Sequence, residues 1–454
     1  MSAGVQVRQA GVLLHPTSLP SARLDDAHRW LDWLADTGVG VWQMLPLGVP
    51  LAGISPYQCA SAFALNPALF PTDLPAVDID APAFQAWHHA QQHWVDNYAL
   101  FMQLKKTHDG ASWVDWPNAL RQREVLALQT VKQQYQLEIN WLIQQQYQFY
   151  VYWQDVRHYA AERQIALFGD MPIFVAHDSA DVWANPHCFL LDEAGQATLV
   201  AGVPPDYFSA TGQRWGNPQY DWDYMRQSDF IWWRERLRYH FEFFDLVRID
   251  HFRGLAASWM IPAASPTAMD GYWQAVPGDA LLQCIQADMG SVPLVAEDLG
   301  VITPDVVALR EQFHLPGMSV LQFAFDSYED NPHKPQNVTP DRVYYTGTHD
   351  NDTTLGWFNS LPAEQQRMVL TALEIDDSSG LNEAMIYTIF NSVSDLAIVP
   401  MQDLLGLDSD GRMNTPGTSD GNWTWQFQWQ DVPADLATNL YQLLQQTKRL
   451  THAK

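Results

Sequence analysis

The sequence predicts an α/β chain, a (β/α)8 TIM barrel with inserted, mainly helical subdomains. Two observations carry that expectation. Eight short apolar, strand-like runs recur, at residues 12–15, 41–47, 165–175, 246–252, 293–299, 318–323, 342–349 and 396–402. Amphipathic stretches separate most of them, and strand-then-helix repeated about eight times is the pattern of such a barrel. A third observation adds to these: Asp170 falls within the third run, while Asp250, Glu297 and Asp350 fall at the ends of the fourth, fifth and seventh. Active sites of these barrels are built at the C-terminal ends of the strands.

The elements between the strands follow from local signals. In residues 23–36, Leu24, Ala27, Leu31 and Leu34 recur at helical spacing, and Thr37-Gly38 closes the helix. The longest gap separates the second and third strands. This insertion, about 48–164, holds two Gln-, Trp- and Tyr-rich helical stretches, 83–106 and 120–161, and reads as a helical subdomain. A second insertion, about 179–229, lies between strands three and four. Residues 229–244 read as an amphipathic helix. Thr303 reads as an N-cap with Pro304 at the first helical position, leading to Phe313. Ser360 is placed to cap a helix over 361–373, and 433–450 reads as a last helix. A barrel needs about 250 residues, so the excess goes to insertions. Neither an internal repeat nor a low-complexity linker divides the chain, so 1–454 is expected to be one catalytic barrel.

Composition narrows the function classes. The chain has 454 residues, 47% hydrophobic and 17% charged, which suits a large core. Lys plus Arg is 25 against 52 for Asp plus Glu, a net charge of -27. So acidic a surface repels nucleic acid and anionic lipid, and a neutral substrate is expected. Cys59, Cys188 and Cys284 form neither a CxxC pair nor an even set, which argues against a disulfide framework or zinc and for a cytoplasmic setting. The first residues lack a signal-peptide core, and no run of about 18 apolar residues suggests a membrane span. Of 20 tryptophans, Trp183, Trp215, Trp222, Trp357 and Trp423 sit in loop-like surroundings. Indole faces pack against sugar rings, so these residues point weakly to carbohydrate.

Three segments concentrate the chemistry: Arg248-Ile249-Asp250-His251, Ala296-Glu297-Asp298 and Gly347-Thr348-His349-Asp350. Three acids around one sugar ring are what glycosidic cleavage needs. Residues two apart on a strand share a face, so Arg248 and Asp250 project together, and the guanidinium is expected to keep Asp250 ionised. A structural Arg–Asp pair is the plain alternative. Glu297 follows an apolar approach, so desolvation is expected to raise its pKa, as suits a general acid. The alternative is a helix cap or a surface carboxylate. Asp298 is expected to point the other way. His349 beside Asp350 lacks metal-site spacing, and His89 with His93 reads as a solvated helix face. No GxSxG elbow, GxGxxG turn or P-loop is present, which disfavours a serine hydrolase or a nucleotide enzyme.

With these segments in hand, the chain resembles the amylomaltases, the 4-α-glucanotransferases of glycoside hydrolase family 77 in the α-amylase clan. The resemblance starts at Gly11-Val12-Leu13-Leu14-His15-Pro16-Thr17-Ser18 and continues at Trp42-Gln43-Met44-Leu45-Pro46, Ser55-Pro56-Tyr57-Gln58 and Ser61 to Pro67. It runs on through Gly169-Asp170-Met171-Pro172, Ala201 to Pro218, the three acid segments and Arg412-Met413-Asn414. The chain departs from the family's usual pattern at Ser21-Ala22-Arg23-Leu24-Asp25-Asp26 and in a shortened loop before Ser55.

The resemblance implies that Asp250 is the nucleophile, Glu297 the acid/base and Asp350 the transition-state stabiliser. It implies that Tyr57, Asp170, Arg248 and His349 line the subsite of the transferred unit. Trp215 and Asn414 are implied on loops over the acceptor side, where Phe208 with Trp215 is expected to exclude water. It implies no metal and no organic cofactor. Maltooligosaccharides and α-1,4-glucans are then the expected donors, with glucose as an acceptor. Two other expectations stand beside transfer: an α-1,4-glucan hydrolase of the same clan, and a glucan-binding protein with a lapsed site.

Overall fold

The computed structural model describes residues 8–51, 55–205, 209–290, 292–418 and 420–451. Twelve strands are present among them: β1 (Gln9–Leu13), β2 (Val41–Gln43), β3 (Ala166–Pro172), β4 (Leu199–Val203), β5 (Gln213–Pro218), β6 (Leu246–Asp250), β7 (Ala257–Pro262), β8 (Tyr272–Ala275), β9 (Leu294–Ala296), β10 (Gly317–Val320), β11 (Arg342–Tyr345) and β12 (Leu396–Pro400). Eight of them pair in the order β10-β11-β12-β1-β2-β3-β6-β9, every pair parallel. The ends of that order meet where Ala296 N donates to Pro316 O at 2.8 Å. The sheet is the (β/α)8 barrel that the eight apolar runs predict. Each run overlaps one of its strands; the first strand begins earlier, at polar Gln9, whose N–H reaches Asp395 O.

Alternation divides the two faces of each strand. Leu13, Val41, Phe168, Val295, Met318, Val320, Val343, Tyr345 and Ile398 form one buried cluster. Their neighbours, such as Val12, Trp42, Leu167, Val247, Ala296 and Tyr344, belong to the larger cluster that packs the surrounding elements. Asp170 shares a face with Phe168, Arg248 and Asp250 with Leu246, and Glu297 with Val295. The polar groups therefore continue the inner stack towards the C-terminal mouth.

Asp298 lies on the opposite face and ties the weakest seam of the barrel. Its carboxylate accepts from Met318 N at 2.8 Å and from Arg342 Nη1 at 2.7 Å on each oxygen, with Arg310 Nε at 3.5 Å. One buried side chain thus joins β9, β10, β11 and the helix Pro304–Gln312. Removing it takes from Arg342 the carboxylate it pairs with, while Arg310 keeps Asp341 at 2.9 Å. Asp298→Ala is expected to cost about 3–5 kcal/mol of stability, read by urea unfolding; a loss below about 1 kcal/mol would deny it this role.

Between β2 and β3 lie the long helices Pro82–Thr107 and Gln136–Glu162, with Asn118–Arg121 and Val125–Gln134 between them. Trp87 packs on Tyr147, ring centroids 5.2 Å apart. The helix Gln136–Glu162 reaches the barrel mouth through fully buried Gln146, which donates to Leu65 O at 2.9 Å and accepts from Leu65 N at 2.8 Å. That pair anchors the loop that carries Tyr57. Ser360 ends the helix Thr354–Ser360 and donates to Trp357 O; the next helix, Ala363–Ala372, has Pro362 at its N-cap, so Ser360 caps nothing.

A second sheet was not anticipated by the apolar runs. It is antiparallel, in the order β5-β4-β7-β8. Two of its strands come from the segment after β3 and two from the segment after β6. It brings Trp215 of β5 to the mouth of the barrel. Among the described residues, no helix is long and apolar enough to cross a membrane.

Candidate active site

The parallel register assembles the acids. Asp170 stands opposite Arg248, and Pro172 opposite Asp250, on neighbouring strands. Ile249 stands opposite Ala296, so the next step in register sets Asp250 beside Glu297. Neighbouring strands lie about 4.8 Å apart, which suits the carboxyl spacing of a retaining glycosidase, about 5–5.5 Å. The backbone continues the match beyond the strands: Glu297 N donates to Ile249 O and Phe252 N to Glu297 O, both at 3.1 Å.

Arg248 is buried and shared. Its Nη1 donates to both Asp170 oxygens at 2.8 Å, and its Nη2 to Asp250 Oδ1 at 2.8 Å. Burial alone would lower the pKa of this guanidinium; the carboxylates of Asp170 and Asp250 more than offset that and hold it a cation. Tyr57 donates its hydroxyl to Asp170 Oδ2 at 2.7 Å and meets His349 Nε2 at 2.9 Å. Tyr57 also stacks on His349, centroids 5.3 Å apart. A polar chain therefore runs from Asp250 through Arg248, Asp170 and Tyr57 to His349, whose Nε2 lies 3.4 Å from Asp350 Oδ1.

Glu297 accepts from His251 N at 2.8 Å and Leu299 N at 3.0 Å. Burial nevertheless pushes its pKa up to about 7; Arg248 opposes the rise and the Asp250 charge adds to it. Asp350 is the exposed member, its side chain 48% accessible, and it accepts from Asn414 Nδ2 at 2.6 Å. Two acids thus sit in contrasting surroundings, one desolvated and one open to solvent.

Trp215 stands edge-on to His251, centroids 4.9 Å apart, and borders the loop that follows Asp250. Phe208 lies outside the described residues. Of the other loop tryptophans, Trp183 and Trp222 are buried in the core, and Trp357 packs on Phe325. Only Trp423 joins this neighbourhood, 5.9 Å from Tyr57 and 6.0 Å from His349 by centroids. The loop composition that singled these residues out does not report burial.

Several residues at the site had no assigned role. His251 has φ 54°, a left-handed backbone that is unusual for a side chain of its size and that turns its N–H onto Glu297. Burial pushes its imidazole down to about 4, and that of His15, near His349, to about 3; both are neutral at pH 7. Arg412 donates to the Asp350 carbonyl. The only sequence signal for His15, His251 and Arg412 was their place inside the quoted segments. His93 faces Glu235 at 3.9 Å, and among the described residues no group of three His, Cys, Asp or Glu side chains is arranged to hold a metal.

A parallel eightfold barrel with three carboxylates, a buried arginine and stacked aromatics at its C-terminal mouth defines a carbohydrate-active enzyme that works on glycosidic bonds. The comparisons name the family. The profile described as glycoside hydrolase family 77, 4-alpha-glucanotransferase, matches residues 14–81 and 70–431. The chain is 44% identical to a 4-alpha-glucanotransferase of Synechocystis sp., covering 92% of this chain and 94% of that one. It is 42% identical to the 4-alpha-glucanotransferase of Thermus thermophilus, covering 98% and 99%. Amylomaltase from Streptococcus agalactiae, solved in complex with acarbose, superposes with a TM-score of 0.92 at 33% identity, covering 98% of this chain and all of that one. The chain belongs to glycoside hydrolase family 77, the 4-alpha-glucanotransferases.

Proposed function

We infer that this chain acts as a 4-α-glucanotransferase that moves α-1,4-glucan segments between chains by a retaining double displacement. The observation that carries the mechanism is the register that sets Asp250 beside Glu297 across neighbouring strands. In the first step an Asp250 oxygen attacks the anomeric carbon while Glu297 gives its proton to the leaving glycosidic oxygen. The C–O bond to the leaving chain breaks and a covalent glycosyl ester forms. In the second step Glu297, now a carboxylate, takes the proton of an acceptor 4-hydroxyl, which displaces Asp250. Asp350 stabilises the positive charge on the ring as it develops.

Tyr57, Asp170, Arg248 and His349 hold the transferred unit, and Trp215 excludes water from the acceptor side. The elevated pKa of Glu297 supports its role, because an acid must be protonated at working pH. Above about pH 7 the protonated fraction falls tenfold per unit. The rate of glycosyl-enzyme formation is therefore expected to fall with the same slope in a pH profile of kcat/KM. Glu297→Gln should remove that alkaline limb, with the residual rate recovered only by a donor, such as a glycosyl fluoride, whose leaving group needs no acid.

Glucose and maltooligosaccharides are the proposed acceptors, and cytoplasm the proposed location. The proposed organisation is a single catalytic barrel carrying insertions at about 48–164 and 179–229. Incubation with maltotriose and mass spectrometry of the products tests the reaction. A ladder of longer oligosaccharides with glucose is expected; glucose and maltose alone would identify a hydrolase instead.

A further inference from the structure

We propose that Arg412 is a positioning residue for Asp350, and that Asn414 belongs to the same device and is not primarily a sugar contact. The inference rests on the reading of Asp350 as the transition-state stabiliser. Asp350 needs such a device. It lies beyond the end of β11, its carboxylate is half exposed, and the adjacent His349 comes no nearer to that carboxylate than 3.4 Å. Asp250 is fixed by Arg248 and Glu297 by two backbone N–H groups, whereas Asp350 is fixed from a different part of the chain.

That part is the segment after β12. The guanidinium of Arg412 donates through Nη2 to the Asp350 carbonyl at 2.8 Å and through Nε to the Asn414 carbonyl at 2.7 Å. The two residues whose main chains it holds are the two whose side chains meet, since Asn414 Nδ2 donates to Asp350 Oδ1 at 2.6 Å. One planar fork thus sets the distance between donor and carboxylate. Arg412 is seated in turn: its Nη1 lies 3.8 Å from Asp352 Oδ2, and Ser409 Oγ donates to the same Asp352 oxygen at 2.8 Å. The segment is secured on its far side as well. Trp423 donates its backbone N–H to Met413 O at 2.7 Å and packs its ring near Tyr57 and His349. Asn414 commits one amide N–H to Asp350, which leaves its second N–H and its amide oxygen to face a ligand.

A carboxylate that must meet a charge present only in the transition state loses its effect when it drifts by an ångström. Arg412→Met should therefore lower kcat for maltotriose disproportionation by about 10- to 100-fold and leave KM within about twofold. A glycosyl fluoride donor should not restore the rate, because ring charge develops whatever the leaving group. The pH profile should keep its shape. Arg412→Lys, which retains the charge but cannot reach both carbonyls, should recover little.

The decisive comparison is the double mutant with Asp350→Asn, assayed with the fluoride donor. With Asp350 disabled, Arg412→Met should cause no further loss. Additive losses, a rise in KM in place of a fall in kcat, or a rate loss that tracks only a lowered thermal midpoint would overturn the proposal. If Asp350→Asn itself leaves kcat unchanged, both the assignment of Asp350 and this inference fail. If Asp350→Asn removes activity while Arg412→Met does not, only this inference fails.

Discussion

Asp250→Asn is expected to lower turnover of maltotriose by about 10⁴-fold or more, since an amide oxygen is too weak a nucleophile to form the glycosyl ester. The fold should survive the change. Asn is nearly isosteric, and its side-chain oxygen still accepts from Arg248 Nη2. Equal thermal midpoints for parent and variant, with the rate lost, are the expected pair of measurements. Trapping should separate the roles further: a fluorinated glycosyl fluoride is expected to label the parent at Asp250 in a peptide map and to leave the variant unlabelled. A variant with parental turnover would place the nucleophile elsewhere.

Arg248→Met is the second large effect, and it acts on two levels. The guanidinium is the cation that Asp170 and Asp250 share, and the Asp170 side chain is 1% exposed. Its removal leaves a buried carboxylate with the Tyr57 hydroxyl as its remaining side-chain hydrogen-bond donor among the described residues. A loss of about 3–5 kcal/mol is expected in urea unfolding, because breaking a buried pair costs more than the pair itself contributes. Asp170→Asn added to Arg248→Met should return part of the stability by removing the stranded charge. It should return none of the turnover, since Asp250 has then lost its partner. Recovery of both together would mean that the cluster is only structural.

The barrel was legible because buried parallel strands read as continuous apolar runs. The run containing Leu246, Val247 and Ile249 is an example, and the charged Arg248 within it marked the site. The outer strands of the second sheet were not legible, for the opposite physical reason. Strand β8 is exposed at every position, and β5 carries Gln213, Arg214 and Asn217, so neither shows a run or an alternation. Their pairing is set by tertiary position, with β5 and β8 as the edges of the sheet. Within the site, Asp250, Glu297 and Arg248 could be placed from strand periodicity. Asp350 and Tyr57 lie on irregular loops; Arg412 and Asn414 reach Asp350, and His349 reaches Tyr57, from remote positions that no spacing rule connects.

Glu297 and Asp298 are adjacent in sequence yet face opposite ways: one turns to the cavity, where the proposed mechanism needs an acid, and the other staples the wall that encloses it. Glu297 takes its attitude from His251 N and Leu299 N, which come together once β6 and β9 have paired. On the proposed mechanism a half-assembled molecule lacks a seated acid, and a substitution that loosens the staple is expected to lower turnover before it melts the protein.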